Sequence, residues 1–202
     1  FSNGNGGPGS FDQYDVGSPA TAKSAISVGS SWSPTGGCTG GSSPYQNNVA
    51  SYSSRGPTTD GRRKPTITAV GCGTSSVSSG DPTDDIGIGS MTTWLGTSYA
   101  APAASSLAAM IREYFEQGYY PNGVPLPGNE FNPSAALVKA MIMASGEMMT
   151  GSNTDSKNEL KYPNNSQGWG RPLLDNVLYF TGDTRKLLVV DNAQGLNTGQ
   201  VV

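Results

Sequence analysis

The chain has 202 residues and a formal net charge of −3, and charged residues make up 13% of it. This length is enough for one domain with a hydrophobic core. No basic stripe supports nucleic-acid binding, and no apolar run reaches the roughly 18 residues of a membrane-spanning helix. The sequence contains no histidine, which excludes histidine-based zinc sites and a Ser–His pair formed by this chain alone.

Short strands are predicted in the N-terminal third. Alternating apolar residues predict strands over 25–28, where Gly29 ends the strand, and over 67–70. A third short strand is predicted over 49–53. Residues 32–48 consist mainly of Gly, Ser, Pro, Thr and Asn, which predicts a loop.

Two helices are predicted in the second half. The first begins at Ser98 or Pro102 and ends at Gln117, before the C-terminal cap Gly118. Its buried face is predicted to contain Ala104, Leu107, Ala108, Ile111, Tyr114 and Phe115. The second begins with Asn132 as N-cap and Pro133 at the first helical position.

The last part of the chain changes character. A short helix or turn is predicted over 173–180, and the Leu-Leu-Val-Val run from Leu187 predicts the first strands of a β-rich unit. We therefore predict a main domain over 1–182 and the start of a second, jelly-roll-like domain over 183–202.

The strongest chemical signal is the segment Gly-Thr-Ser-Tyr-Ala-Ala-Pro at 96–102. Ser98 is predicted at the N-terminus of a helix, where backbone N–H groups and the helix dipole favour negative charge. A serine hydroxyl there could attack a carbonyl while nearby N–H groups stabilise the oxyanion. Physically, the commoner role of a serine before a helix is that of an N-cap.

This segment resembles the nucleophile motif G-T-S-x-A-x-P of the subtilisin-like serine proteases. Other segments resemble that family in the same order, and the resemblance covers roughly residues 1–180. They are Gly4-Asn5-Gly6, the stretch from Ser18 to Gly29, Ser53-Ser54-Arg55-Gly56-Pro57 with Asp60-Gly61-Arg62 and Lys64-Pro65, Asn132-Pro133-Ser134, and Gln167-Gly168-Trp169-Gly170-Arg171.

The resemblance implies part of an α/β fold with three layers, a mainly parallel sheet and helices on both faces. It implies a serine endopeptidase in which Ser98 forms the acyl-enzyme. The catalytic Asp and His precede the serine in this family, so a segment N-terminal to Phe1 is the expected partner that supplies them. Asn5 is the expected side-chain donor to the oxyanion, and the Ser98 N–H is the second donor.

The resemblance also implies a set of substrate-binding residues. The stretch from Ser2 to Asn5 matches the strand edge that pairs with the substrate main chain. Gly17 resembles the small residue at the base of the pocket for the side chain before the cleaved bond. The substrate-binding residues predicted in this way are Ser2, Asn3, Gly4, Gly17 and Thr97. The bond from Ser18 to Pro19 resembles one that is cis in the family.

Three positions depart from the family pattern, and they leave a second hypothesis open. Thr66 stands where the family usually has Asp, Val70 stands where it has Pro, and Leu95 stands where Ser is more common. With the absence of histidine, these differences allow a non-catalytic structural or interaction module on the same fold. An esterase or lipase receives little support, because the motif G-x-S-x-G is absent around Ser98.

No cofactor is required by this chemistry, but structural calcium is possible, because calcium is common in the family. Acidic loop residues could supply oxygen ligands, although a solvated acidic loop is the more common explanation for such residues. These residues are Asp12, Asp15, Asp81, Asp84 and Asp85.

Two features bear on location. Cys38 and Cys72 could form a disulfide or remain as two free buried thiols. The triplet Asn164-Asn165-Ser166 fits an N-glycosylation acceptor. Together with the low content of charged residues, they favour a secreted protein that acts on peptides or proteins.

Overall fold

A computed structural model describes residues 1–7, 15–35, 45–78, 90–154, 161–192, 195 and 199, with backbone only for 75–78 and 90–92. The strands and helices in chain order are β1 (Val28–Trp32), β2 (Ile67–Ser78), β3 (Ser90–Leu95), α1 (Thr97–Glu116), α2 (Ala135–Ala144), β4 (Gly146–Glu147) and β5 (Arg171–Pro172). The chain divides into two compact units. The first contains Phe1–Ser105 and Gly146–Pro172, and the second contains Ser106–Ser145 and Leu173–Val202.

The sheet of the first unit places the site. Strand order is β1-β2-β3, in which β1 and β2 are parallel and β2 and β3 are antiparallel. Ser2 extends the sheet through a parallel bridge to Val28. Phe1–Asn3 and β3 therefore lie on opposite sides of the β1–β2 pair, and both lead directly into residues of the predicted site.

Strand β1 is shifted from its predicted position. We expected a strand over 25–28 that ends at Gly29, whereas β1 begins at Val28 and continues through Gly29 to Trp32. All five residues of β1 are buried. The polar Ser30 is satisfied internally, because its N–H donates to Ser53 Oγ at 3.0 Å. The Gly-Ser-Ser sequence therefore continues the buried strand, whereas we predicted that the strand ends at Gly29.

The other two strand predictions had different outcomes. The strand at 67–70 is confirmed, and β2 continues beyond it to Ser78. The strand at 49–53 is wrong: Val49 makes one isolated antiparallel bridge to Ser31, and turns follow. Val49 and Ala50 are buried, so their apolar character reflects burial in an irregular segment.

The helix predictions hold for the most part. Helix α1 runs from Thr97 to Glu116. Of its six predicted buried residues, Ala104, Ile111, Tyr114 and Phe115 are buried, whereas Leu107 and Ala108 are half-buried. Helix α2 is capped by Ser134, whose Oγ accepts from the Leu137 N–H, and not by Asn132. Proline at 133 precedes the cap and has no N–H to be capped.

The Gln-Gly-Trp-Gly-Arg segment joins the start of β2. Gln167 is buried, and its amide donates to the carbonyls of Met149 and Thr154 and accepts from the Met149 N–H. Asn164 is 4% exposed, and its side-chain nitrogen donates to Thr154 O. The asparagine of the glycosylation triplet is therefore a buried structural residue in the folded chain.

The second unit has an aromatic core. Tyr114 contacts Phe115, Tyr119 and Phe180 through ring pairs with centroids 5.2–5.6 Å apart. Residues 187–192 have no regular secondary structure, and most of the residues after 192 lie outside the described part of the chain. The β-rich C-terminal unit over 183–202 therefore stays a prediction.

Cys72 is disulfide-bonded and buried. The sequence contains one other cysteine, Cys38, which lies outside the described residues. Within the described ranges no three His, Cys, Asp or Glu side chains are grouped to hold a metal ion. Of the predicted calcium ligands only Asp15 is described, so the calcium site stays a prediction. None of the described helices has the length and apolar character needed to cross a membrane.

Candidate active site

Ser98 lies at the exposed N-terminus of α1, directly after β3. Gly96 joins strand to helix with φ +153°, and its N–H donates to Gly71 O at 2.8 Å. Thr97 is 1% exposed, whereas Ser98 is exposed. The Ser98 N–H is among the first four of the helix, which have no intrahelical acceptor. Pro102, four residues later, has no N–H to donate to the Ser98 carbonyl.

Asn5 is attached to this helix start by its side-chain oxygen. Asn5 Oδ1 accepts from the Thr97 N–H and from the Thr97 hydroxyl, each at 2.9 Å. The Thr97 hydroxyl in turn accepts from the Gly4 N–H at 3.3 Å. Three hydrogen bonds thus join Gly4 and Asn5 to Thr97, the residue directly before Ser98.

These bonds also fix which way the Asn5 amide faces. A backbone N–H must meet an acceptor, so the oxygen is the atom bound to Thr97 and the Nδ2 donor is on the opposite branch. A side-chain carbon placed on Gly96 would lie 3.6 Å from Asn5 Nδ2 and 3.8 Å from the Ser98 nitrogen. The two predicted oxyanion donors therefore flank the same space over Gly96, which glycine leaves open.

The loop that carries Asn5 is held by Ser54. The Ser54 hydroxyl accepts from the Gly6 N–H at 3.0 Å, and the Ser54 N–H donates to Gly4 O at 2.9 Å. Asn3 is fully buried and donates from Nδ2 to Ser54 O. Gly4 has φ +115°, and a Cβ there would lie 2.6 Å from the Ser54 Oγ. Gly4 thus has a conformational and a steric reason to be glycine.

The structure brings the predicted substrate-binding residues together. Ser2 and Asn3 form a strand edge against Val28, and Asn3 O accepts from the Gly17 N–H at 3.3 Å. Gly17 is exposed, and a Cβ built on it would meet nothing within 4 Å. The side chains of Asn3 and Thr97 are buried, so they can contribute to the site only by holding neighbouring residues in position. The Ser18–Pro19 bond is cis, as the resemblance implied.

Two aromatic features of the site were missed by the sequence analysis. Tyr52 contacts Gly96 through its hydroxyl, which accepts from the Gly96 N–H at 2.9 Å. Burial raises the pKa of Tyr52, so its hydroxyl keeps its proton at neutral pH. Trp94 is 41% exposed and stacks on Tyr99 with ring centroids 6.2 Å apart, beside Ser98. No sequence pattern distinguished either residue from ordinary surface or core aromatics.

The arrangement can stabilise an oxyanion but supplies no base for Ser98. An exposed serine at a helix N-terminus with two N–H donors beside it matches the requirements for acyl transfer. Abstraction of the hydroxyl proton needs a group such as imidazole, and the sequence has no histidine.

Comparison with known proteins identifies the family of the chain. The pattern of the family described as "Subtilase family" matches residues 1–170. The chain is 36% identical over 152 residues to the Serine protease/ABC transporter B family protein tagB of Dictyostelium discoideum, and 37% identical to tagD. Those matches cover 66% of this chain and 8% of each relative, so the chain corresponds to a small part of those proteins.

Solved structures resemble the chain as well. The CspB protease of Clostridium perfringens shares 25% identity with a TM-score of 0.50, over 80% of this chain and 27% of that one. The prenylagaramide maturation protease PagA has a TM-score of 0.55 at 17% identity over 87% of this chain and 47% of its own, a likeness of fold. The extent of the family match and the geometry around Ser98 lead to one conclusion: the chain belongs to the subtilase family.

Proposed function

We propose that this chain provides the nucleophile and the oxyanion donors of a serine endopeptidase. Ser98 is the nucleophile, and Asn5 Nδ2 and the Ser98 N–H are the donors. The observation that supports this assignment most directly is the attachment of Asn5 to Thr97 by two 2.9 Å hydrogen bonds, which leaves Nδ2 beside the nucleophile.

The remaining catalytic groups come, in this proposal, from a part of the protein outside the given sequence. An imidazole takes the Ser98 hydroxyl proton as Oγ attacks the peptide carbonyl, and a carboxylate orients that imidazole. The tetrahedral oxyanion receives hydrogen bonds from Asn5 and Ser98. The imidazolium then protonates the leaving amine as the C–N bond breaks. Water hydrolyses the resulting ester of Ser98, and the hydroxyl is restored.

The peptide substrate binds, in this proposal, along the edge formed by Ser2 and Asn3. In a parallel bridge only alternate residues bond to the neighbouring strand. Val28 bonds to Phe1 O and to the Asn3 N–H, so the N–H and C=O of Ser2 point to the other side. Gly17, which is exposed and open, would admit the substrate side chain before the cleaved bond.

We also place the protein outside the cell. The disulfide at Cys72 supports an oxidising compartment, because such bonds are rare in the cytosol. Because Asn164 is buried, the glycosylation triplet supports neither an extracellular nor an intracellular location.

A second candidate function is a non-catalytic interaction module on the subtilase fold. The observation that favours it is the absence of histidine from the 202 residues. In that case Ser98 would be an N-terminal helix residue without a general base.

A fluorophosphonate probe applied to the intact native protein distinguishes the two. Only a serine activated by a base and oxyanion donors reacts rapidly, and mass spectrometry identifies the labelled peptide. We expect labelling at Ser98 that is lost on denaturation and in Ser98→Ala. Ser105, an exposed serine on the same helix, provides the matched control, since Ser105→Ala should leave labelling unchanged.

Absence of labelling on a folded protein whose site is not covered by a pro-segment would contradict the peptidase proposal. The interaction module would then be the better assignment. Labelling at any serine other than Ser98 would contradict the assignment of the nucleophile.

A further inference from the structure

The Tyr52 side chain links three backbone segments around the turn that presents Ser98. Its hydroxyl donates to Gly71 O at 2.8 Å, accepts from the Gly96 N–H at 2.9 Å and lies 2.7 Å from Ser30 Oγ. A tyrosine hydroxyl has one proton to donate and two lone pairs to accept with. With Ser30 Oγ as a donor, the three bonds use this proton and both lone pairs, so the hydroxyl has a partner for each.

The main chain next to Tyr52 holds the other half of the site. Tyr52 O accepts from the Gly7 N–H at 2.7 Å, at the end of the loop that carries Asn5. Two residues later, Ser54 bonds to Gly4 and Gly6. The segment 52–54 therefore contacts both the loop that supplies one oxyanion donor and the turn that supplies the other.

We infer that Tyr52 is a positioning residue: its hydroxyl orients the Gly96 peptide, and through that peptide it positions the two oxyanion donors. Gly96 has φ +153° and no side chain, so hydrogen bonds to its N–H restrain the orientation of this peptide. The adjoining residues Thr97 and Ser98 take their orientation from that turn. This inference rests on the proposed peptidase function, because it names a group that supports the same site.

Phenylalanine at position 52 isolates the hydroxyl. The ring would still pack against the buried cluster of Trp32, Ala50 and Cys72, so the core is preserved. The Gly96 N–H would keep its bond to Gly71 O and lose its second acceptor. A donor displaced slightly from the oxyanion affects the transition state more than the bound substrate.

The test uses the full-length protein and the matched variant Tyr162→Phe. Tyr162 is a partly buried tyrosine of the same unit whose hydroxyl lies 2.8 Å from Trp169 O and 3.1 Å from Gly146 O and shares its one proton between them. We expect Tyr52→Phe to lower kcat about 3- to 10-fold with KM unchanged, because, of the three hydrogen bonds lost, the one to the Gly96 N–H acts on the oxyanion donors. Tyr162→Phe should leave kcat within about twofold at a temperature where both variants are folded.

A second readout separates positioning from a general loss of stability. A peptide boronic acid forms a tetrahedral adduct whose oxygen takes the place of the oxyanion, so its affinity should fall in Tyr52→Phe by the same factor as kcat/KM. Equal kcat and equal boronate affinity in Tyr52→Phe and wild type would overturn the positioning role alone. A wild-type protein without fluorophosphonate labelling at Ser98 would overturn the peptidase proposal and this inference together.

Discussion

The hydroxyl of Thr97 offers the sharpest test of the oxyanion geometry. In Thr97→Val the side chain keeps its shape, and both hydrogen bonds of the hydroxyl are lost. Of the two bonds between Thr97 and Asn5 Oδ1, only the one from the Thr97 N–H remains, and the Gly4 N–H loses its acceptor. Thr97→Ser is the matched control, because it keeps the hydroxyl and removes a methyl group.

The expected magnitude follows from the number of bonds. Each net hydrogen bond contributes about 1 kcal/mol, and Thr97 is 1% exposed, so Thr97→Val should lower the free energy of unfolding by about 1–3 kcal/mol. In subtilisin, a member of the same family, full loss of the side-chain oxyanion donor lowers kcat by about 100- to 1,000-fold. Loss of one of the two bonds that Thr97 makes to Asn5 should cost less, and we expect about a 10-fold decrease in kcat.

The assay is a double-mutant cycle on the full-length protein. We would measure kcat and KM on a chromogenic peptide for Thr97→Val, Asn5→Asp and the double variant, with thermal unfolding of each. Asn5→Asp keeps an acceptor for Thr97 and removes the Nδ2 donor, so Thr97→Val should have little further effect on kcat in its presence. Additive effects on kcat, or an equal decrease in Thr97→Ser, would refute the idea that Thr97 acts by positioning Asn5.

Three other perturbations have distinct expected outcomes. Gly96→Ala should destabilise the protein by about 1–3 kcal/mol through the positive φ at this position. It should also lower kcat, because the added methyl group would contact both oxyanion donors. Gly61 has φ +81° and no neighbour within 4 Å, so Gly61→Ala should show the loss of stability alone. Gln167→Ala should lower the free energy of unfolding by about 2–4 kcal/mol, as three buried hydrogen bonds are lost, whereas exposed Gln117→Ala should change it little in chemical denaturation. The hydrogen bond from Arg62, followed by that from Thr58, lowers the pKa of Asp60 from 3.8 to about 2. This carboxylate therefore stabilises the fold above pH 4 and loses that effect as the pH falls toward 2, and Arg62→Gln should flatten this part of the stability–pH curve.

Local sequence determined much of the fold. Helix α1 was predicted almost to its observed ends, because apolar residues at a spacing of three and four define one buried face. Strand β1 was misplaced because Gly29, Ser30 and Ser31 are polar or small by composition. All three are buried in the folded chain, and Ser30 is satisfied there by partners distant in sequence, Ser53 and Tyr52. Similarly, the cap of α2 was assigned to Asn132, since local pattern alone did not distinguish it from Ser134.

For the candidate site, the resemblance to the family named the residues, and the tertiary structure determined how they meet. The motif around Ser98 and the Gly-Asn-Gly turn at Asn5 were recognised by their resemblance to family motifs, because local physical chemistry alone favours an N-cap role for a serine before a helix. The connection of Asn5 to Thr97 spans 92 residues and exists only once the sheet has brought the ends of the two chain segments together. Tyr52 shows the limit most clearly: nothing local to a tyrosine indicates that its hydroxyl will meet the Gly96 N–H, because that contact depends on the packing of three separate segments.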